Sequence, residues 1–323
     1  MTPDVQIDAL FPTFDRTGTR PDKYRAGFMN RVGSAVIESV FDDARPFRSG
    51  LAPVKSAGAW GAIDCSGAVV AEPISHSILG ISEDAIVYSV TGKLGIMSLN
   101  GQIIVKPTYR RLIGFQEGVS CMSVDRLYGF VTADGKQLAS PIYEDARSFS
   151  DGVAPVKING RWGYIDKFLE LEVPPQFDLA LSFSEGLARV ESGGSWGYID
   201  RKGDYVIPPR YEAARDFHEG LAEARVGHLW GYIGPNGEFA IGPAFRRTAE
   251  FAEGLAAVEL EEGLYGFINR EGQFVVRPRF EMVATFRGGL CFVQMENEIA
   301  YIDQEGKVVW QGPYVDVGRI SEL

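Results

Sequence analysis

Five carboxylates recur at one place in this chain: Glu117, Asp151, Glu185, Glu219 and Glu253 each stand immediately before the glycine of a Gly-Leu/Val-Ala/Ser run. Two readings of that row are open. It is a set of solvated turn residues that tolerate the glycine's geometry, or it is an acidic stripe that meets a basic partner protein and steers the encounter electrostatically. Arginines at Arg147, Arg210, Arg215, Arg246, Arg247, Arg277 and Arg279 cluster around a recurrent proline turn and offer themselves as partners for the acids between repeats.

The remaining reactive groups are sparse. Of the three histidines, His218 lies in Phe217-His-Glu-Gly220, His228 precedes Leu229-Trp230 in a turn, and His76 stands alone, with no metal-ligand spacing among them. No HExxH, GxSxG, Walker A or dinucleotide-binding glycine pattern occurs. Cys65, Cys121 and Cys291 are odd in number and scattered, which excludes a disulfide framework and a CxxC site; Cys121 and Cys291 fall where other copies place Pro or Ala, so they read as packing residues. The expectation is therefore no catalytic residue, no cofactor, no metal and no enzyme. Trp60, Trp162, Trp196 and Trp230 invite a second binding story, sugars stacked on exposed rings. Interchange of Trp with Tyr, Leu and Ile at that position argues for packing instead.

The net charge of −11 lacks the basic excess that drives phosphate binding, so a nucleic-acid partner is not expected. Acidic proteins repel anionic membranes and favour basic partners. The first 25 residues show no basic segment followed by an apolar one, and no stretch approaches the roughly 18 apolar residues of a membrane span. The expected location is the cytoplasm.

What must position these groups is a repeat. Trp60-Gly-Ala-Ile-Asp64, Trp162-Gly-Tyr-Ile-Asp166 and Trp196-Gly-Tyr-Ile-Asp200 are near copies, and Trp230-Gly-Tyr-Ile233 extends them. Degenerate versions complete nine copies with first positions at 26, 60, 94, 128, 162, 196, 230, 265 and 299, a period of 34 with one step of 35 at the acidic turn Glu261-Glu262-Gly263. Three further signals hold register: a glycine seven residues on, replaced only by Leu169; a proline followed two residues later by an aromatic, as at Pro209 and Tyr211; and Phe-x-x-Gly-Leu-Ala-x-Val, as at Phe183 to Val190. The array is expected over 13–320, with a lead-in at 1–12 and a tail at 321–323.

Abundant glycine (38 residues) with 20 Phe and 13 Tyr suits short strands and tight turns. Each unit reads as three strands, for example Leu187–Glu191, Trp196–Asp200 and Tyr205–Ile207, the last stopping at Pro208-Pro209, which cannot donate to a ladder. Residues 211–217, apolar at every third position, suit a turn or a one-turn helix. The glycine after each tryptophan is expected to make room for neighbouring backbone or, preferably, an aromatic ring. A unit this small cannot bury its apolar strip alone, so stacking supplies the core. The fold expected is an all-β tandem array of nine antiparallel units. An open β-superhelix or solenoid is favoured over a closed β-propeller, because 34 residues is short for a blade and nine exceeds about four to eight blades.

With Gly152-Val-Ala-Pro-Val156 before it and Pro174-Pro-Gln-Phe177 after it, Trp162-Gly-Tyr-Ile-Asp166 resembles the WG repeat of bacterial proteins, and the resemblance spans about residues 13–320. It implies a β-rich interaction module, alone or fused to other domains, and no catalytic activity, cofactor or fixed ligand. The function expected is a non-enzymatic protein-interaction repeat, in its sharpest form an acidic inhibitor or immunity-type binder of a basic protein through the five acids. A carbohydrate or cell-wall binding module is the alternative.

Overall fold

The computed structural model describes residues 10–16, 24–260, 263–296 and 298–313. Most of the lead-in expected at 1–12, the tail at 321–323 and the acidic pair Glu261-Glu262 lie outside the described residues. Within them the chain forms nine antiparallel sheets in strict chain order, the first of three strands and the other eight of four.

The sixth sheet shows why the sequence folds this way. Its strands are Leu179–Ala180, Ala188–Ser192, Ser195–Ile199 and Tyr205–Tyr211. Gly193 and Gly194 have φ of 60° and 78°, the left-handed pair a two-residue hairpin needs to match strand twist. Asp200 then accepts from the backbone N–H groups of Lys202 (2.9 Å) and Asp204 (3.1 Å), closing the next turn.

Two local expectations are corrected. The strand expected to stop at Ile207 runs through Pro208-Pro209 to Tyr211. It is the outermost of the sheet, where a missing N–H breaks no ladder and the prolines blunt an edge that would otherwise recruit other strands. The segment expected to form a turn or a one-turn helix contains the strand Ala213–His218, which opens the seventh sheet. Its three-residue apolar spacing comes from a register shift between Ala214 and Phe217, which buries both.

The glycine after tryptophan faces backbone rather than a ring. Register slips between Trp196 and Tyr198, so the outer strand bulges over Gly197, where a Cβ would lie 2.5 Å from the Ile207 carbonyl oxygen and 2.7 Å from the Pro209 nitrogen. The same overlap recurs at Gly61, Gly129, Gly163, Gly231 and Gly266.

The expected open superhelix is wrong: the nine sheets close into a ring, a nine-bladed β-propeller. One apolar cluster joins the two ends of the chain, holding Phe11, Phe14 and Phe28 together with Phe292, Ile299 and Tyr301. The rings of Phe11 and Tyr301 meet edge to face with centroids 5.4 Å apart. The last outer strand, Val308–Pro313, meets the first strand, Phe11–Arg16, as each outer strand meets the following sheet elsewhere, for example Val69–Ser75 against Ile86–Val90. Blade-length arithmetic misled because the innermost strand is only two residues long in most sheets, such as Asp145–Ala146, so four strands fit in 34 residues.

The core lies between blades. In most blades the residue two after the tryptophan position is aromatic and packs edge to face on the phenylalanine of the next blade's first loop: Tyr164 on Phe183 (5.2 Å), Tyr198 on Phe217 (4.9 Å) and Tyr232 on Phe251 (4.8 Å). The hydroxyls of these tyrosines donate to backbone carbonyls in or just after the inner strand of that next blade, at Leu181 (2.7 Å), Arg215 (2.6 Å) and Ala249 (2.8 Å). Beyond its buried area, each ring pair contributes about 0.5–1.5 kcal/mol.

Candidate functional site

The five sequence-derived acids occupy equivalent loops at one end of the ring, between the first and second strands of sheets four to eight. Each is the first residue of a two-residue turn, with φ between 51° and 53°, followed by a left-handed glycine. Ser184 and Leu187 exchange backbone hydrogen bonds across the Glu185-Gly186 turn (2.9 and 3.1 Å). A non-glycine residue there is strained by roughly 1–2 kcal/mol.

Their carboxylates reach forward by one blade. Glu185 accepts from the backbone N–H groups of Glu219 (2.7 Å) and Gly220 (2.8 Å). Glu219 accepts from Gly254 (3.0 Å), Glu253 from Gly289 (2.8 Å), Asp151 from Gly186 (3.2 Å) and Glu117 from Gly152 (3.2 Å). Asp84 does the same for Gly118 (3.1 Å), a sixth member that sequence comparison missed because it sits at the glycine position of its copy. The acids' backbone carbonyls are held in turn by side chains of the following blade: Glu117 by Lys167 (3.1 Å), Glu219 by Arg270 (2.6 Å), Glu253 by Gln304 (3.3 Å) and Asp151 by Arg201. Lys167 also pairs with the Glu117 carboxylate at 3.1 Å. The structure thus brings the five acids into one arc and makes them inter-blade staples. Accepting from a neutral N–H does not offset a carboxylate's charge; at Glu117 the ammonium of Lys167 does.

A second set of acids, at the opposite end of the ring, was not singled out in the sequence. Asp42, Glu144, Asp178 and Glu212 accept from the hairpin-turn N–H groups of Gly58, Gly160, Gly193 and Gly227 within one blade. The signal was present, since each lies one residue after the aromatic of the proline motif and carries the same period.

The tryptophan faces are covered. Arg45 lies over Trp60 (4.7 Å), Arg147 over Trp162 (5.3 Å) and Arg215 over Trp230 (5.2 Å), all from one repeat position, while Arg189 covers Trp196 (5.4 Å). Trp60 and Trp162 are buried; Trp196 and Trp230 are half-buried.

The ionisable groups that break the pattern gather between blades six and eight. Arg189 pairs with Asp216 at 2.7 Å, and His218 with Glu250 at 3.2 Å. Glu223, 1% exposed, faces Arg215 at 3.5 Å, and burial holds its carboxyl above the ordinary carboxylate value despite that guanidinium. Among the described residues no three His, Cys, Asp or Glu side chains are grouped to hold a metal. Burial pushes the Cys121 thiol up to about 12 and the Cys291 thiol higher, so neither presents a thiolate near neutral pH.

At the axis, loops of sheets two to five and nine meet around a cavity of about 610 Å³, with Ile81, Phe115 and Phe149 among its apolar lining and Arg48, Arg287 and Glu117 among its charged lining.

A family profile described as the WG containing repeat matches residues 27–58, 128–162, 162–195, 196–228, 230–263 and 265–298, and the chain belongs to that family. No curated protein matches in sequence. Among solved structures, one described as a eukaryotic initiation factor superposes with a TM-score of 0.66 at 10% identity, covering 95% of this chain and 96% of that one. The computationally designed Ika8 protein superposes at 0.50 with 11% identity, covering 85% of this chain and 98% of its own. At such identities the likeness shows the fold alone.

Proposed function

We propose that this propeller is a non-enzymatic interaction scaffold that presents the end carrying the acidic loops to a partner protein with a basic surface, in its sharpest form a protein that masks a basic toxin or enzyme in the cytoplasm. The observation that carries the reading is the arc of Asp84, Glu117, Asp151, Glu185, Glu219 and Glu253, fixed on successive blades of a molecule of net charge −11. Staples between blades hold the arc rigid, so little ordering entropy is lost when a partner docks. Like charges on one face raise the encounter rate with a cationic surface and disfavour anionic ones.

Charge and staple can be separated. Glutamine keeps an oxygen that accepts from the glycine N–H and removes the charge. The triple variant D151N/E219Q/E253Q, at acids that each accept a single backbone N–H, should fold and melt like the parent yet lose at least about tenfold in affinity for an identified basic partner captured from the native host, with the parent's binding weakening steeply as salt rises. Undiminished binding by a folded triple variant would sink the proposal.

A further inference from the structure

At the end of the ring away from the acidic arc, one seat built for a carboxylate holds an arginine. Where the chain enters a sheet, Asp42, Glu144, Asp178 and Glu212 fill that seat, each accepting from a hairpin-turn N–H within 3.3 Å. Two of them also pair with an arginine of the preceding sheet, Asp42 with Arg25 (2.6 Å) and Asp178 with Arg161. At the entry to sheet four the repeat puts Arg110 in the seat, and Lys93 where Arg25 and Arg161 stand. The hairpin of that sheet turns on Asp125-Arg126. Arg126 has φ of 71° at a position that is glycine in sheets two, three, five and six, as Gly58, Gly92, Gly160 and Gly194. Left-handed backbone disfavours a side chain, and strain kept at a charged tip points to use of that side chain.

Lys93, Arg110 and Arg126 are exposed, and none of them makes a hydrogen bond or ion pair among the described residues. No side chain among the described residues accepts from the N–H groups of Asp125 and Arg126. Arg111 adds a fourth cation, oriented by its bond to the Tyr128 hydroxyl (2.7 Å). Against these stand Asp125, at the tip itself, and two acids of sheet five that are already engaged. Glu144 accepts from Gly160 (3.0 Å); Asp145 accepts from the Ala146 N–H (2.9 Å) and has Lys157 directly across from it. The corner is therefore cationic on a chain of net charge −11.

We propose that this corner between sheets three and four binds an acidic segment of a partner polypeptide, seating an Asp or Glu carboxylate where other sheets seat their own. The hairpin N–H groups and a cation on the flank are the donors that hold Asp42 and Asp178 in the equivalent places. Guanidiniums supply charge-assisted bonds to the same group. Val124 and Leu127, 42% and 41% exposed on either side of the turn, give apolar residues of such a segment a surface that a nucleic-acid backbone would not use. At physiological ionic strength the Debye length is about 8 Å, so the acids at the other end of the ring are screened from the corner. The site is separate from the acidic arc, and either can fail without the other.

Fluorescence polarisation of labelled hexaglutamate with the full chain, in about 150 mM sodium chloride, tests the proposal. Saturable binding with a Kd below about 1 mM is expected. R110E returns the chain's own carboxylate to the seat and should abolish that binding. R126G restores the residue the turn prefers, so it should unfold at no lower urea concentration than the parent yet bind at least about fivefold more weakly. K202Q, in an exposed turn beside the acidic loops, should bind like the parent. Labelled hexathymidylate, of similar charge, should bind less tightly than the peptide. If R126G proves less stable, R110E, at an exposed residue outside the strands, decides alone. No saturable binding of the peptide by about 1 mM, undiminished binding by R110E, or tighter binding of hexathymidylate would overturn the proposal.

Discussion

At the scale of single residues, the acids are held by directed bonds whose loss can be measured. Glu185→Ala removes the acceptor for two N–H groups of the following blade while keeping a strained left-handed backbone, and it should cost about 1–2 kcal/mol in urea unfolding. E185Q keeps one acceptor and sets its NH2 against the other N–H, so it should recover only part of that loss. Glu223 has the opposite sign. A carboxyl held above its ordinary value of 4.5 binds its proton more tightly when folded, so its contribution to stability falls as pH rises from 4.5. E223Q should therefore melt higher than the parent at pH 7, by about 2–4 °C, and the advantage should shrink as pH approaches 4.5. A variant advantage independent of pH would show that burial of charge is not the cause. The thiols give a third check: a thiol reagent at pH 8 should label only half-buried Cys65 quickly, with Cys121 and Cys291 reacting after unfolding.

At the scale of elements, the blade is organised by the bulge over the tryptophan-glycine pair. Gly197→Ala places a methyl group on the backbone of the outer strand, which cannot move without breaking the sheet, and should cost about 2–3 kcal/mol; an equally stable variant would refute the close approach. This element was only partly legible in the sequence. Period-two alternation located the second and third strands, since Tyr198 and Ile199 carry a strong apolar signal. Pro208-Pro209 read as a terminator because sequence does not say which strand is outermost, and only there are two missing donors harmless. The innermost strand was illegible because its two paired residues, as at Leu179–Ala180, are too few to show any period. Carboxylates such as Glu185 were found by their spacing, yet their bonds, to a loop 34 and 35 residues on, depend on how blades stack.

At the scale of the whole molecule, closure is the property that a repeating sequence does not reveal, since each unit meets its neighbour in the same way in a ring or a superhelix. The ends supply the difference. Phe11 packs on Tyr301 at the seam, in place of the loop phenylalanine used between the other blades. The axial mouth lined by Arg48 and Arg287 exists only if that seam is shut, whereas the staples of the acidic arc join neighbouring blades and do not cross it. The direct test is a distance between spin labels at Val32 and Lys307, exposed residues from opposite ends of the chain that line one cavity of about 470 Å³, placed in a Cys65→Ser background. The ring predicts a single narrow, short distance. An open stack of nine sheets spaced about 10 Å apart would hold the labels roughly 80 Å apart, and that result would contradict the closed propeller.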